Sequence, residues 1–302
     1  MAQLPQYPVY VISKGRADVC YTAQFLVEDQ VPFYLVVQPQ EADAYAVHFG
    51  RERLLILPFS NLGLGGIPAR NFVWEHAKEA GHKRHWILDD NIRNIWHMHK
   101  GKRIPVMSGI AFKTIEDFTE RYENIAIAGM NYYAFVGMGA SGANGNMPPF
   151  YLNTHVYSCL LILNELPYRW RGRYNEDTDL CLQVLANNWC TISFNSFMQL
   201  KLQTMTMKGG NSDELYKGDG RLEMARTLER AWPYAVKVGR RFNRPQHVVH
   251  DSWGKFDTPL KRRTDINWEA IAQQKPEMKL VQVAPEIKSK RIKEMLEAEA
   301  AK

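Results

Sequence analysis

Short apolar runs alternate with helix-forming stretches between Tyr7 and Leu88, and this alternation limits the fold more than any other feature of the chain. Tyr7–Ile12, Phe33–Val37, Leu54–Leu57 and His85–Leu88 are apolar along most of their length, not at every second position. Strands of that kind are buried on both faces, as in a mostly parallel sheet with helices above and below. Cys20–Gln30 and Pro68–Ala80 supply two of the helices. The second has proline at its first position, Gly81 just past its end, and Ala69, Phe72, Val73, Ala77 and Ala80 on one stripe. Gln40–Gly50 reads as a helix or an edge segment.

Further along, the spacing predicts a short helix over Ile92–His99. A second helix is expected from Ile115 to about Asn124, with Thr114 as its N-cap. Ile125–Ala128, Tyr132–Val136, Val156–Leu163 and Trp189–Phe194 read as strands, as does a short Ala235–Val238. Leu215–Ala231 reads as a broken amphipathic helix. Residues 137–149 are glycine-rich with almost no apolar payload, the composition of a mobile functional loop. The expected organisation is one α/β domain over residues 1–256 and a charged helical tail over 257–302. That tail opens near the basic run Lys261–Arg263 and has a narrow stripe at Ile287, Ile292 and Leu296.

Composition narrows the setting. No window is apolar enough to span a bilayer, and Met1–Pro5 lacks the basic-then-apolar order of a signal peptide. Cys20, Cys159, Cys181 and Cys190 are scattered without a Cys-x-x-Cys pair, as expected of small core residues in the cytosol. A net charge of +6 favours acidic partners such as nucleotides or nucleic acid.

Three stretches carry chemistry. Trp86-Ile-Leu-Asp-Asp-Asn91 is a core strand delivering Asp89, Asp90 and Asn91 to its carboxyl end, where open α/β sheets bind ligands. Adjacent acids suit a hard divalent cation shared with phosphate oxygens, and they also suit a plain acidic turn. Along an extended chain Asp89 and Asn91 share one side while Asp90 faces the other. Ser13-Lys14-Gly15-Arg16 closes the first strand with two cations beside a glycine, either an anion-binding corner or a solvated loop. Arg70 and Asn71 lie in the first turn of the Pro68 helix, where a cation opposes the helix dipole and is better explained by an anion.

The third stretch is Arg169-Trp-Arg-Gly-Arg173, followed by Asn175-Glu176-Asp177-Thr178-Asp179 at a helix start. Capping alone explains acids in a first turn, but three acids behind three arginines exceed what a cap needs. His247 and His250 are further candidates for a metal or a phosphate.

Taken together, Trp86–Asn91, Tyr151–Ser158, Tyr174–Leu180 and Thr204–Asn211 resemble the TET/JBP-associated glycosyltransferases of the GT-A class. These occur in bacteriophages and beside pyrimidine-oxidising dioxygenases. The likeness covers roughly residues 8 to 255. It implies a GT-A-like, Rossmann-like fold and transfer of a sugar from a nucleotide-sugar, expected to be uridine diphosphate-linked, to a hydroxymethylated pyrimidine in DNA. It further implies Mg²⁺ or Mn²⁺ on the Asp-Asp-Asn cluster, held by Asn91 with either Asp89 or Asp90 while the other acid meets the nucleoside; His247 is a further metal candidate from the sequence alone. Ser13, Lys14, Gly15, Arg16, Arg70, Asn71 and Asp90 would then lie around the donor.

Asp177 is the expected general base, Glu176 the next choice, and Asp179 a structural cap. DNA phosphates would meet Arg169, Arg171, Arg173, Arg240, Arg241, Arg244 and residues 261–263, with Trp170 or Tyr174 stacking on the base. Two other readings stay open: a GT-A enzyme acting on a small molecule or glycan, and an inactive DNA-binding relative.

Overall fold

A computed structural model describes residues 4–137, 147–172, 174–202, 209–210, 220–241, 244–249 and 253–273. The chain divides into a large unit, residues 1–261, and a small one, residues 262–302. The large unit is built on a ten-stranded sheet. Its strands are β1 (Val9–Ile12), β2 (Tyr34–Val37), β3 (Leu54–Ile56), β4 (Arg84–Asp89), β5 (Ile92–His99), β6 (Lys102–Pro105), β7 (Ile125–Tyr132), β8 (Phe150–Leu152), β9 (Cys159–Leu163) and β10 (Cys190–Lys201).

The order is β3-β2-β1-β4-β9-β7-β10-β5-β6, with β8 also paired to β10. Strands β1 to β4 run parallel, β9 runs against both of its neighbours, and β7 and β10 are parallel again. The sheet is therefore mixed but mostly parallel, and the class is α/β. Around it are α1 (Tyr21–Glu28), α2 (Ala42–Phe49), α3 (Ile67–Glu79), α4 (Ser108–Thr119), α5 (Glu176–Leu185) and α6 (Gly220–Ala231).

Alternate residues of each central strand enter two separate cores. Val9, Val11, Leu35, Val37, Trp86 and Leu88 pack with Phe25 of α1 and Phe112 of α4. Tyr10, Val36 and Ile87 pack with Val73 and Trp74 of α3 and Leu180 of α5. This two-sided burial is what the continuous apolar runs imply. All four cysteines are buried free thiols. Among the described residues no helix is long and apolar enough to cross a membrane.

Three expected elements are corrected. Ile92–His99 is strand β5, not a helix. Lys100 and Gly101 both have positive φ, 48° and 76°, and close the tight β5–β6 hairpin, a turn whose twist matches that of the strands. The helix expected from Ile115 is α4, which starts at Ser108, so Thr114 lies within it and its hydroxyl donates back to Ile110 O. The cap comes from far away, with Asp29 Oδ2 accepting from Ser108 N at 2.9 Å. Tyr133–Phe135 is a single 3₁₀ turn following β7.

Asn153 and Asn124 donate to Thr258 O and Pro259 O, both at 2.9 Å, and Lys261 N donates to Asn124 Oδ1, so residues 258–261 are tied to the large unit. A two-stranded ribbon, β11 (Lys237–Arg241) with β12 (Arg244–Val248), is separate from the main sheet. The small unit holds a short helix, α7 (Trp268–Gln273), with Trp268 Nε1 donating to Arg263 O. The loop 138–146, Arg173, Thr204–Lys208, Asn211, His250 and the stripe at 287–296 lie outside the described residues.

Candidate active site

Arg70 gathers the acids. The first turn of α3 places its guanidinium, 7% exposed, beside the end of β4 and the start of α5. Nη2 donates to Asp89 Oδ1 at 2.8 Å, Nε lies 3.7 Å from Glu176 Oε1, and Nη1 lies 3.8 Å from Asp177 Oδ1. The Trp170 ring lies 4.7 Å from its Cζ. Burial works against the charge, but Asp177, Asp89 and Glu176 outweigh it and hold the guanidinium above its ordinary pKa. Two acid groups, one after β4 and one opening α5, therefore share a single cation.

Asp89 has a second cation. Lys201, the last residue of β10, places Nζ 2.7 Å from Asp89 Oδ2 and 2.6 Å from Ser158 Oγ. Tyr132 lies beside them, its hydroxyl 2.8 Å from Ser158 Oγ. Burial works to raise the Asp89 carboxyl, yet Lys201 and Arg70 overcome it and hold the group below the usual carboxylate range. Asp177 behaves oppositely. Burial, with Glu176 and Asp89 nearby, pushes it up to about 7 against the pull of Arg70. Its Oδ2 accepts from Ser158 N at 3.1 Å, while Oδ1 is buried with no hydrogen-bond partner among the described residues. A carboxyl in that state is poised for proton transfer near neutral pH.

Asp90 faces the other way, as strand alternation requires. Its Oδ1 accepts from Arg16 Nη1 at 2.6 Å and its Oδ2 from Ser13 Oγ at 2.7 Å. Gly15 N donates to Glu41 Oε1. Gly209 and Gly210 close over this corner, with Gly210 N donating to Lys14 O at 2.8 Å and Arg16 Nη2 to Gly209 O at 3.0 Å. Gly209 has φ 78°, and a Cβ added there would lie 2.3 Å from Gly15 O. Gly209→Ala is therefore expected to cost ~1–3 kcal/mol, from the left-handed backbone and the blocked approach. Thermal unfolding of the variant against the parent would measure it, and an unchanged Tm would refute the contact.

Other expected residues have structural work. Asn71 exchanges hydrogen bonds with the main chain of Trp170 (2.8 and 3.1 Å) rather than facing a donor. Trp170 is 2% exposed under Arg70, so it is not a surface platform for a base. Arg169 pairs with Glu75 at 2.7 Å and stands over Trp74. Arg171 forks onto both oxygens of Asp179, which also accepts from Gln183 and Trp232 Nε1, so Asp179 ties the start of α5 to α6 and its flank. Arg240 and Arg241 lie on β11, and Tyr174 is half-buried just before α5.

The expected metal ligands do not assemble. Both oxygens of Asp89 and both of Asp90 already face protein donors. His247 belongs to the β11–β12 ribbon, paired with Val238. Asn91 Oδ1, buried without a partner among the described residues, is the one uncommitted oxygen of the Asp-Asp-Asn set. No three His, Cys, Asp or Glu that could hold an ion come together among the described residues. This donor set does not fit a hard divalent cation, which takes several oxygen ligands.

Lys201, Ser158, Tyr132 and Gly209 escape a reading of the sequence for acids and arginines. Ser158 and Gly209 fall within stretches that carry the family likeness, but nothing local marks Lys201. It follows a strand expected to end at Phe194, and only the pairing of β10 with β5 carries the chain on to Asp89.

The family described as TET-Associated Glycosyltransferase matches residues 7–210, which takes in every residue of the Arg70 cluster. No curated protein matches the chain. Among solved structures, it is similar to a protein from Desulfovibrio desulfuricans provisionally assigned as a nucleotide-diphospho-sugar transferase. The identity is 9%, over 63% of this chain and 80% of that one, with a TM-score of 0.36.

Proposed function

This chain belongs to the TET-associated glycosyltransferase family, and from that premise we propose that it moves a sugar from a uridine diphosphate-linked donor to the hydroxyl of a 5-hydroxymethylpyrimidine in DNA. The observation that carries the reading is the meeting of Asp89, Glu176 and Asp177 on the single buried guanidinium of Arg70. One site thus offers positive charge for a leaving diphosphate and a carboxyl tuned for proton removal.

In the proposed step the acceptor oxygen attacks the anomeric carbon. The bond from that carbon to the diphosphate oxygen breaks, with its electron pair leaving on the diphosphate. The hydroxyl proton passes to the Asp177 carboxylate. A single base with in-line attack gives inversion. Arg70 Nη1 and Asp177 Oδ1 are buried without hydrogen-bond partners among the described residues; a phosphate oxygen would accept from the first and the acceptor's hydroxyl would donate to the second.

A base-sized acceptor is supported by a cleft of about 340 Å³ lined by Asn131, Phe135, Tyr151, Thr154 and His155, among others. His155 stacks on Tyr157 at 4.4 Å, and the Tyr157 hydroxyl lies 3.1 Å from Thr178 Oγ1, next in the chain to Asp177. Aromatic faces with a few amides and hydroxyls suit an unstacked pyrimidine. Arg173, Arg240 and Arg241 are the proposed phosphate contacts, with Tyr174 as a stacking partner.

The test is to incubate the protein with uridine diphosphate sugars and DNA containing 5-hydroxymethylcytosine or 5-hydroxymethyluracil, then digest to nucleosides for mass spectrometry. A glycosylated nucleoside is expected. Transfer only to free glycans or small alcohols would overturn the DNA acceptor.

A further inference from the structure

We propose that Lys201, acting beside Arg70, is a built-in counter-cation for the donor's diphosphate, so that this transferase binds its nucleotide without a divalent metal. The proposal rests on the donor reading above and adds the identity of the charge that meets the phosphates.

The geometry is specific. Asp89 sits where a metal-holding carboxylate is expected, yet its oxygens are met by Arg70 Nη2 at 2.8 Å and Lys201 Nζ at 2.7 Å. Two cations on the one carboxylate of Asp89 neutralise it fully, and Arg70 also faces Glu176 and Asp177. A divalent ion on Asp89 would have to displace a buried ammonium or guanidinium. The neighbouring acid offers no alternative, because Asp90 is closed by Arg16 and Ser13.

Lys201 is also aimed. The register of β10 against β5 shifts between Leu200 and Lys201, and such irregularities re-aim a side chain at a strand end. Its ammonium has three N–H donors. Asp89 and Ser158 take two, leaving the third with no hydrogen-bond acceptor among the described residues and the Tyr132 ring centroid 5.7 Å from Nζ. Arg70 Nη1 is likewise buried without a hydrogen-bond partner among the described residues, with Asp177 Oδ1 3.8 Å away. These two donors, from cations fixed on the same carboxylate, are complementary to the oxygens of a diphosphate. The charge forming on that group as the sugar leaves would then be met by Lys201 and Arg70, with no proton changing hands at either cation.

The test uses the full chain. Calorimetric titration with uridine, guanosine, cytidine and adenosine diphosphates is run in excess EDTA and again in excess Mn²⁺, and Mn²⁺ alone is followed by electron paramagnetic resonance. Kd for the preferred nucleotide is expected to agree within about threefold between the two conditions, with Mn²⁺ remaining free in solution. In EDTA, Lys201→Gln should weaken binding by about tenfold or more, ~1.4 kcal/mol, and Lys201→Arg should recover part of it. Binding that requires Mn²⁺, or a Lys201→Gln variant that binds like the parent, overturns the proposal while leaving the donor reading intact. If no nucleotide binds in either condition, the donor reading fails and this inference fails with it.

Discussion

Asp177→Asn is expected to lower kcat by ~10²–10⁴-fold with little change in donor affinity, because the amide cannot take the acceptor's proton. The parent enzyme supplies a sharper signature in its pH dependence. Only the unprotonated carboxylate is a base, and the folded environment pushes this carboxyl up to about 7. The rate should therefore climb with pH below neutrality and level off above it. Glu176→Gln removes one of the negative charges that raise Asp177, so the climb should move to lower pH. Steady-state kinetics across the pH range would check both points. An Asp177→Asn enzyme that transfers sugar at near parental rate would show that the proton leaves by another route.

The largest effect on stability is expected at Arg70. Arg70→Leu leaves Asp89 with Lys201 alone and Glu176 and Asp177 facing each other without the guanidinium between them. Removing one member of a buried charge cluster typically costs ~3–5 kcal/mol, because the remaining charges have lost their compensation. Chemical denaturation at neutral pH should show a loss of that order. Arg70→Lys should fall between, since a point charge cannot reach three carboxylates as the planar fork does.

The sign with pH follows from Asp89. Its carboxyl is held below the usual range, so its contribution is present above the unfolded carboxylate pKa and is lost as pH falls through the folded one. The gap between parent and Arg70→Leu should therefore narrow in acid. A gap that is absent at neutral pH would mean that Arg70 does not organise the acids.

Much of this was legible in the residues themselves. The continuous apolar runs specify a sheet buried on both faces, and the observed cores lie on both faces. Asp89, Asp90, Glu176 and Asp177 announce themselves as acids placed at a strand end and a helix start. Arg70 does so by sitting where the helix dipole opposes a cation, and three carboxylates are what hold it there.

What was hidden depends on distant pairing. Ile92, Ile95, Trp96 and His99 have helical spacing, yet the Lys100–Gly101 turn and the neighbouring β10 make them a strand. The start of α4 is capped by Asp29, remote in sequence. Trp170, Arg169 and Arg171 read as a nucleic-acid surface, but Trp170 lies under Arg70, while Glu75 and Asp179 hold the arginines. Charge runs report composition; whether a cation faces water or a carboxylate is decided by packing.

The clasp between Arg16 and Gly209 spans 193 positions of the chain. Bringing such remote segments together carries a chain-closure entropy that local contacts do not bear, and high sequence separation slows folding. The corner around Ser13 can therefore close only once nearly the whole matched region has left the ribosome. A nascent chain ending before Gly209 would carry the early strands with the Ser13 corner still unclasped.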